Sequence, residues 1–174
     1  GTAGTEEYAN YAAEGGVGIG NPFTRLLFAA AFGDSGIFLS GSIQGDSRIL
    51  YNRTINDRVT RVAPFLTLDS DPYLVILDGR LIWVQDAYTS TTRFPYSTPY
   101  QLTGGQAASY IRNSVKVTVD AYTGEMRFYV VDEQDPLLRT YRKIFPELFT
   151  PLSAAPAGLV DHVRYPEDLF ELQA

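Results

Sequence analysis

The 174-residue chain contains no cysteine, one histidine and two lysines, Lys116 and Lys143. Without cysteine there is no disulfide, no thiolate nucleophile and no cysteine-bound zinc. This absence does not assign a compartment, because a core of this size folds without cross-links in any of them. The lone His162 argues against a transition-metal centre, which usually recruits more than one histidine or cysteine. It argues equally against a serine triad. The stretch GDSG at residues 33–36 is followed by Ile37, and the sole histidine lies near the C-terminal end. Basic residues are outnumbered 14 to 20, giving a net charge of −6, and no run of Lys and Arg occurs. No nucleic-acid partner is expected of such a surface. Long apolar runs are missing too. The longest, Leu26–Phe32, is far short of the ~20 residues of a membrane span. No basic-then-apolar leader opens the chain. Neither a dinucleotide fingerprint nor a phosphate-binding P-loop is written, since GGVGIGN lacks the required spacing and follows no strand.

What is present is an aromatic-rich composition, with 12 Tyr and 10 Phe, and enough apolar residues for a substantial core. Residues 1–20 are small, polar and glycine-rich and read as a flexible lead-in. Residues 21–174 read as a single domain. Asn21-Pro22 signals a helix start and Gly33 its stop. The segment NDRVTRVAPFL reads as a short helix in which Val59, Val62 and Ala63 share a face. The pattern then changes to period two. YLVIL, Asp78-Gly79 and RLIWVQ form a hairpin signal. NSVKVTVDAYTGEMRFYVV forms a second, with Val115, Val117 and Val119 on one face and Lys116 and Thr118 on the other. Between them GGQAASYIRN reads as a short helix. Asp135 and Pro136 open a further helix with an apolar stripe ending at Pro146. PAGLVDHVRY and PEDLFELQ read as two more. The expected fold is α+β: an antiparallel sheet built from two β-hairpins, about 73–86 and 115–131, flanked by short helices.

Four carboxylates, Asp69, Asp71, Asp78 and Asp86, fall near the first hairpin. Aspartate is a common turn and cap residue because it bonds its own backbone. The same carboxylates would suit calcium, although the stretch is not an EF-hand loop, and no other cofactor is expected. Two of them converging in a cleft would allow acid–base work. The following stretch, DAYTSTTRFPYSTPY, reads as an ordered aromatic loop that either covers the sheet or stacks on a ligand. The tetrapeptide Asp-Ala-Tyr-Thr occurs twice, at Asp86–Thr89 and Asp120–Thr123. The second copy runs into Gly124 and reads as a tight turn. The first reads as the point where the chain leaves the sheet. Candidate ligand-contacting residues are Asp71, Asp86, Tyr88, Tyr96 and Arg112.

Long strings of this chain resemble a known family. RILYNRTINDRVTRVAPFLTLDSDPYLVILDGRLIWVQDAYTSTTRFPYS, the run from SYIRNSVKVTVDAYTGEMRFYVV to the C-terminal PEDLFELQ, and GIGNPFTRLLFAAAFGDSGIFLSG are similar to the UPF0182 family of uncharacterised bacterial membrane proteins. The resemblance covers nearly all of residues 18–173. It implies a piece of a large region outside the membrane, following several N-terminal membrane helices and facing the extracellular side. It carries over no catalytic residue. VKVTVDAYTGEMRFYV also resembles one hairpin of PepSY-type modules, which supports antiparallel α+β structure alone. The function expected is a non-catalytic extracytoplasmic module. Its partners would be other parts of a parent membrane protein or of the cell envelope. The alternative is an envelope hydrolase or transferase using carboxylates of the Asp69–Asp86 stretch.

Overall fold

The structure is a computed structural model that describes residues 15–101 and 107–173. The chain forms two compact units that divide between Tyr51 and Asn52.

In the first unit, strand β1 (Val17–Gly18) pairs antiparallel with β2 (Arg48–Ile49). Helix α1 (Pro22–Phe32) starts as its sequence dictates. The Asn21 side chain accepts the Phe23 N–H at 2.8 Å, Pro22 occupies the first turn, and Gly33 closes the end at φ 66°. Arg25 anchors the helix by donating to the carbonyls of Ile19 and Ile43 at 2.8 and 2.7 Å. A one-turn helix, α2 (Gly36–Leu39), follows.

The second unit is built on a sheet. Its elements are α3 (Ile55–Val62), β3 (Thr67–Leu68), β4 (Tyr73–Leu77), β5 (Arg80–Thr91), β6 (Tyr100–Gln101), β7 (Ala107–Ala108), β8 (Tyr110–Asp120), β9 (Met126–Val130), α4 (Pro136–Ile144), β10 (Phe149–Pro151) and α5 (Glu167–Gln173). The two expected hairpins, β4–β5 and β8–β9, join along β5 and β8, giving the strand order β10-β9-β8-β5-β3 with β4 also on β5. All pairings are antiparallel except β10 on β9. Both central residues of the first turn, Asp78 and Gly79, have positive φ, as a type I′ hairpin requires.

Both faces of the sheet are covered. On one, Val115, Val117, Val119, Phe128 and Val130 pack against Val59, Ala63 and Leu66 of the α3 region and Leu138 of α4. Phe65 stacks on Phe145 with centroids 5.2 Å apart and meets Tyr141 at 4.3 Å. On the other face, Val75, Leu77, Val84 and Tyr129 pack under Leu159. A fully buried valine contributes about 1.5–3 kcal/mol, so the double covering makes β8 the most strongly held strand.

Three local expectations are corrected. In the segment read as a helix, Ala107–Ala108 and the residues from Tyr110 on are strand, residues 104–106 lying outside the described residues; β6 partners the alanines and β5, running on to Thr91, partners Tyr110 and Ile111, so pairing overrides local preference. PAGLVDHVRY contains only one 3-10 turn, Val160–His162, following Gly158 at φ 84°. Val62 is 43% exposed and does not share the buried face of Val59 and Ala63. Among the described residues no helix is long and apolar enough to cross a membrane.

Candidate functional site

The register of β5 and β8 sets Asp86 directly opposite Lys116, on the sheet face opposite the one covered by α3 and α4. Their side chains form an ion pair and are 3% and 1% exposed. The Lys116 ammonium also donates to the Arg164 carbonyl at 2.8 Å. Burial pushes the Asp86 carboxyl up, and the Lys116 ammonium opposes that rise. One residue further, a bulge between Ala87 and Tyr88 shifts the register. The buried Tyr88 hydroxyl donates to Asp69. Burial, reinforced by that carboxylate, drives the phenol's proton affinity far up, so it remains a donor.

Asp69 is a hub. It accepts the N–H of Asp71 at 2.9 Å and of Asp168 at 3.1 Å. The Asp168 carboxylate accepts the Ser70 N–H and hydroxyl at 2.9 and 2.6 Å. Gln85 donates to the carbonyls of Asp69 and Asp86 at 2.8 and 3.1 Å. At the rim, Arg164 pairs with Asp71 at 2.5 Å and lies 3.9 Å from the centre of the Tyr73 ring. The C-terminal segment therefore closes over a layer in which Asp69, Asp86, Lys116 and Asp168 are each paired or hydrogen-bonded, while Gln85 Oε1 and the Tyr73 hydroxyl are buried without a partner among the described residues.

Another buried carboxylate, Asp135, caps α4 through the Leu137 N–H at 3.0 Å. It also accepts the hydroxyls of Thr89, Ser114 and Tyr110. Desolvation alone would raise it, but these donors outweigh burial and hold the carboxyl below its usual range. Burial together with the Asp135 carboxylate pushes the Tyr110 hydroxyl up to about 12.

A cleft of about 290 Å³ lies at the hairpin ends, between the sheet and residues 154–159. Ile82, Tyr129 and Leu159 line its apolar part. Of its charged groups, Arg80 pairs with Asp120 at 2.7 Å and Arg127 with Glu125 at 2.6 Å, and Asp78 also lines it. Asp120 also accepts the N–H of Tyr122 and Thr123 and so closes the second turn, as its sequence implied.

Of the residues singled out in the sequence, Asp71, Asp86 and Tyr88 come together around Asp69. Tyr96 and Arg112 stand apart from that cluster. Tyr96 is fully exposed at φ 60°. Arg112 pairs with Asp132 at 2.7 Å. The first Asp-Ala-Tyr-Thr copy is not an exit from the sheet, since β5 continues through it. Asp69, Asp71, Asp78 and Asp86 do not assemble around one point. Among the described residues no three acidic or histidine side chains are placed to share an ion. Lys116, Arg164, Asp135 and Asp168 went unassigned as site residues in the sequence. The signal for Lys116 was its position in SVKVTV: a charge inside a strand buried on both faces needs a counter-ion on its neighbour.

The chain matches the profile of UPF0182, an uncharacterised protein family, over residues 2–174. A UPF0182 protein of Cupriavidus necator is 53% identical over 167 residues, which is 96% of this chain and 18% of that protein. One of Clostridium perfringens is 51% identical over 173 residues, 99% of this chain and 18% of that protein. One of Pelotomaculum thermopropionicum is 49% identical over 167 residues, again 18% of its own length. The chain thus spans about a fifth of the relatives it matches. No solved structure matches it.

Proposed function

The chain belongs to the uncharacterised protein family UPF0182, and from that premise we propose that it is a non-catalytic docking module, one segment of a longer envelope protein that packs against the rest of that polypeptide. The observation that carries this reading is α1. Its sequence, PFTRLLFAAAF, is apolar on nearly every side, the pattern of a helix enclosed by protein. Yet Phe23, Leu26, Leu27 and Phe32 are each more than half exposed, and Ala29 alone is buried. Eleven residues are too few to span a bilayer. The occupant that suits this surface is the remainder of the polypeptide, given that relatives are more than five times as long.

The buried charges support the same reading. Asp69, Asp86, Lys116 and Asp168 hold one another in place under the C-terminal segment, away from the open cleft. The extracellular placement rests on the resemblance of the chain to its family.

The absence of cysteine makes the test direct. Leu27→Cys reacts rapidly with a maleimide in the 174-residue chain and at least about tenfold more slowly in the full-length protein in its membrane. A membrane-impermeant maleimide applied to intact cells labels Glu133→Cys, an exposed position, if the module lies outside. Equal Leu27→Cys reactivity in both forms removes the docking reading.

A further inference from the structure

The outer edge of β4 is open, although its residues are those of an interior strand. The two-residue turn at Asp78-Gly79 makes Leu77 and Arg80 the hydrogen-bonded pair that closes the hairpin. Counting back along the register, Val75 with Ile82 and Tyr73 with Val84 are also hydrogen-bonded pairs. The N–H and C=O of Leu74 and Ile76 therefore point away from β5. Among the described residues no strand pairs on that side of β4. Neither residue makes a backbone bond to a loop among the described residues. The side chains of the same two residues are open, Leu74 44% and Ile76 67% exposed, beside Leu81 at 49% across the ladder. Val75 and Leu77, facing the other way, are buried under Leu159. Edge strands that remain unpaired are usually protected by a lysine, a proline, a bulge or an inward charge. Within Tyr73–Leu77 there are none of these, Pro72 standing just before the strand.

We propose that β4 accepts one additional β-strand, supplied by the part of the polypeptide that lies outside these 174 residues. This rests on the docking reading and adds to it the place and the bonding. A second copy of the chain fits less well. Each copy carries a net charge of −6. Asp71 and Asp78 bracket the edge, so antiparallel self-pairing about Val75 would set Asp78 of one copy beside Asp71 of the other. The strand that fits is extended over at least three residues. It is apolar at the alternate positions that meet Leu74, Ile76 and Leu81, and free of acidic residues at its ends. Its main-chain groups bond the free N–H and C=O groups of Leu74 and Ile76, while its side chains cover the aliphatic strip.

Residue-resolved hydrogen exchange tests this. In the 174-residue chain the amides of Leu74 and Ile76 exchange at nearly unprotected rates. In the full-length protein they slow by at least about 100-fold. Ile76→Pro removes the outward N–H without touching a bond to β5, a substitution that sheet edges tolerate. It is expected to abolish the added protection at Leu74, and Ile76→Lys, which keeps the backbone intact, to weaken it. Equal exchange at Leu74 and Ile76 in both forms overturns the proposal. So does protection that rises with concentration in the 174-residue chain, which would make a second copy the occupant. If Leu27→Cys is shielded in the full-length protein while these amides are not, docking stands and the added strand falls.

Discussion

Replacing Lys116 with methionine probes the charged layer most sharply. Methionine keeps the length and most of the apolar stem while deleting the ammonium. The Lys116 side chain is 1% exposed and that of Asp86 3%, so water cannot replace the lost partner. The substitution leaves a buried carboxylate uncompensated and the Arg164 carbonyl without its donor. Breaking a buried pair in this way costs about 3–5 kcal/mol at neutral pH. With a urea slope of about 2 kcal/mol/M, the unfolding midpoint falls by about 1.5–2.5 M. The cost depends on pH in a defined direction. Burial already raises the Asp86 carboxyl, so its contribution to stability is fully present below the unfolded carboxylate range and is lost as pH rises through the folded value. Removing Lys116 raises that value further. The penalty is therefore smaller at about pH 5 than at about pH 7. Filling the site with Lys116→Met and Asp86→Leu together recovers most of the loss, because apolar side chains need no counter-charge. The reasoning is refuted if Lys116→Met unfolds within about 1 kcal/mol of the parent chain at pH 7, or if the double variant is no more stable than the single one.

Other outcomes follow from the same contacts. Asp135→Ala is expected to cost about 2–3 kcal/mol in urea unfolding, because it removes the α4 cap and strands the buried hydroxyls of Thr89 and Ser114 and the half-buried one of Tyr110. Since the Asp135 carboxyl is held low, its contribution is present above the unfolded carboxylate range and lost as pH falls through the folded value. Asp135→Asn should therefore flatten the acid limb of the stability profile. Tyr96→Ala, at a fully exposed side chain, is expected to change stability by less than about 0.5 kcal/mol. Millimolar calcium is expected to leave the melting temperature unchanged to within about 1 °C. A rise that Asp71→Asn abolishes would restore the metal reading of the acidic stretch.

Much of the fold was legible because its signals are local. Asn21-Pro22, Asp78-Gly79, Asp135-Pro136 and Gly124 each demand a backbone geometry that their own side chains or the lack of one provide, and each sits where the sequence placed it. The strands in 107–113 were missed because their conformation is set by distant partners, Ala107 and Ala108 by β6 and Tyr110 onward by β5 some twenty residues earlier. The acidic stretch was half legible. Sequence spacing brought Asp71, Asp86 and Tyr88 together, but Arg164 and Asp168 reach Asp71 and Asp69 across more than ninety residues. No local pattern encodes that closure. Nor could the sequence separate Tyr96 and Arg112 from the cluster, since both depend on how the loop after β5 folds back.

The docking claim is tested most directly by photo-crosslinking. A benzophenone amino acid replacing Phe23 on α1, which is 65% exposed, is activated in the full-length protein within its membrane, and the captured peptide is identified by mass spectrometry. The account predicts one dominant crosslink to a peptide of the same polypeptide outside these 174 residues. Crosslinking to lipid alone, or none beyond reaction with solvent, would contradict it.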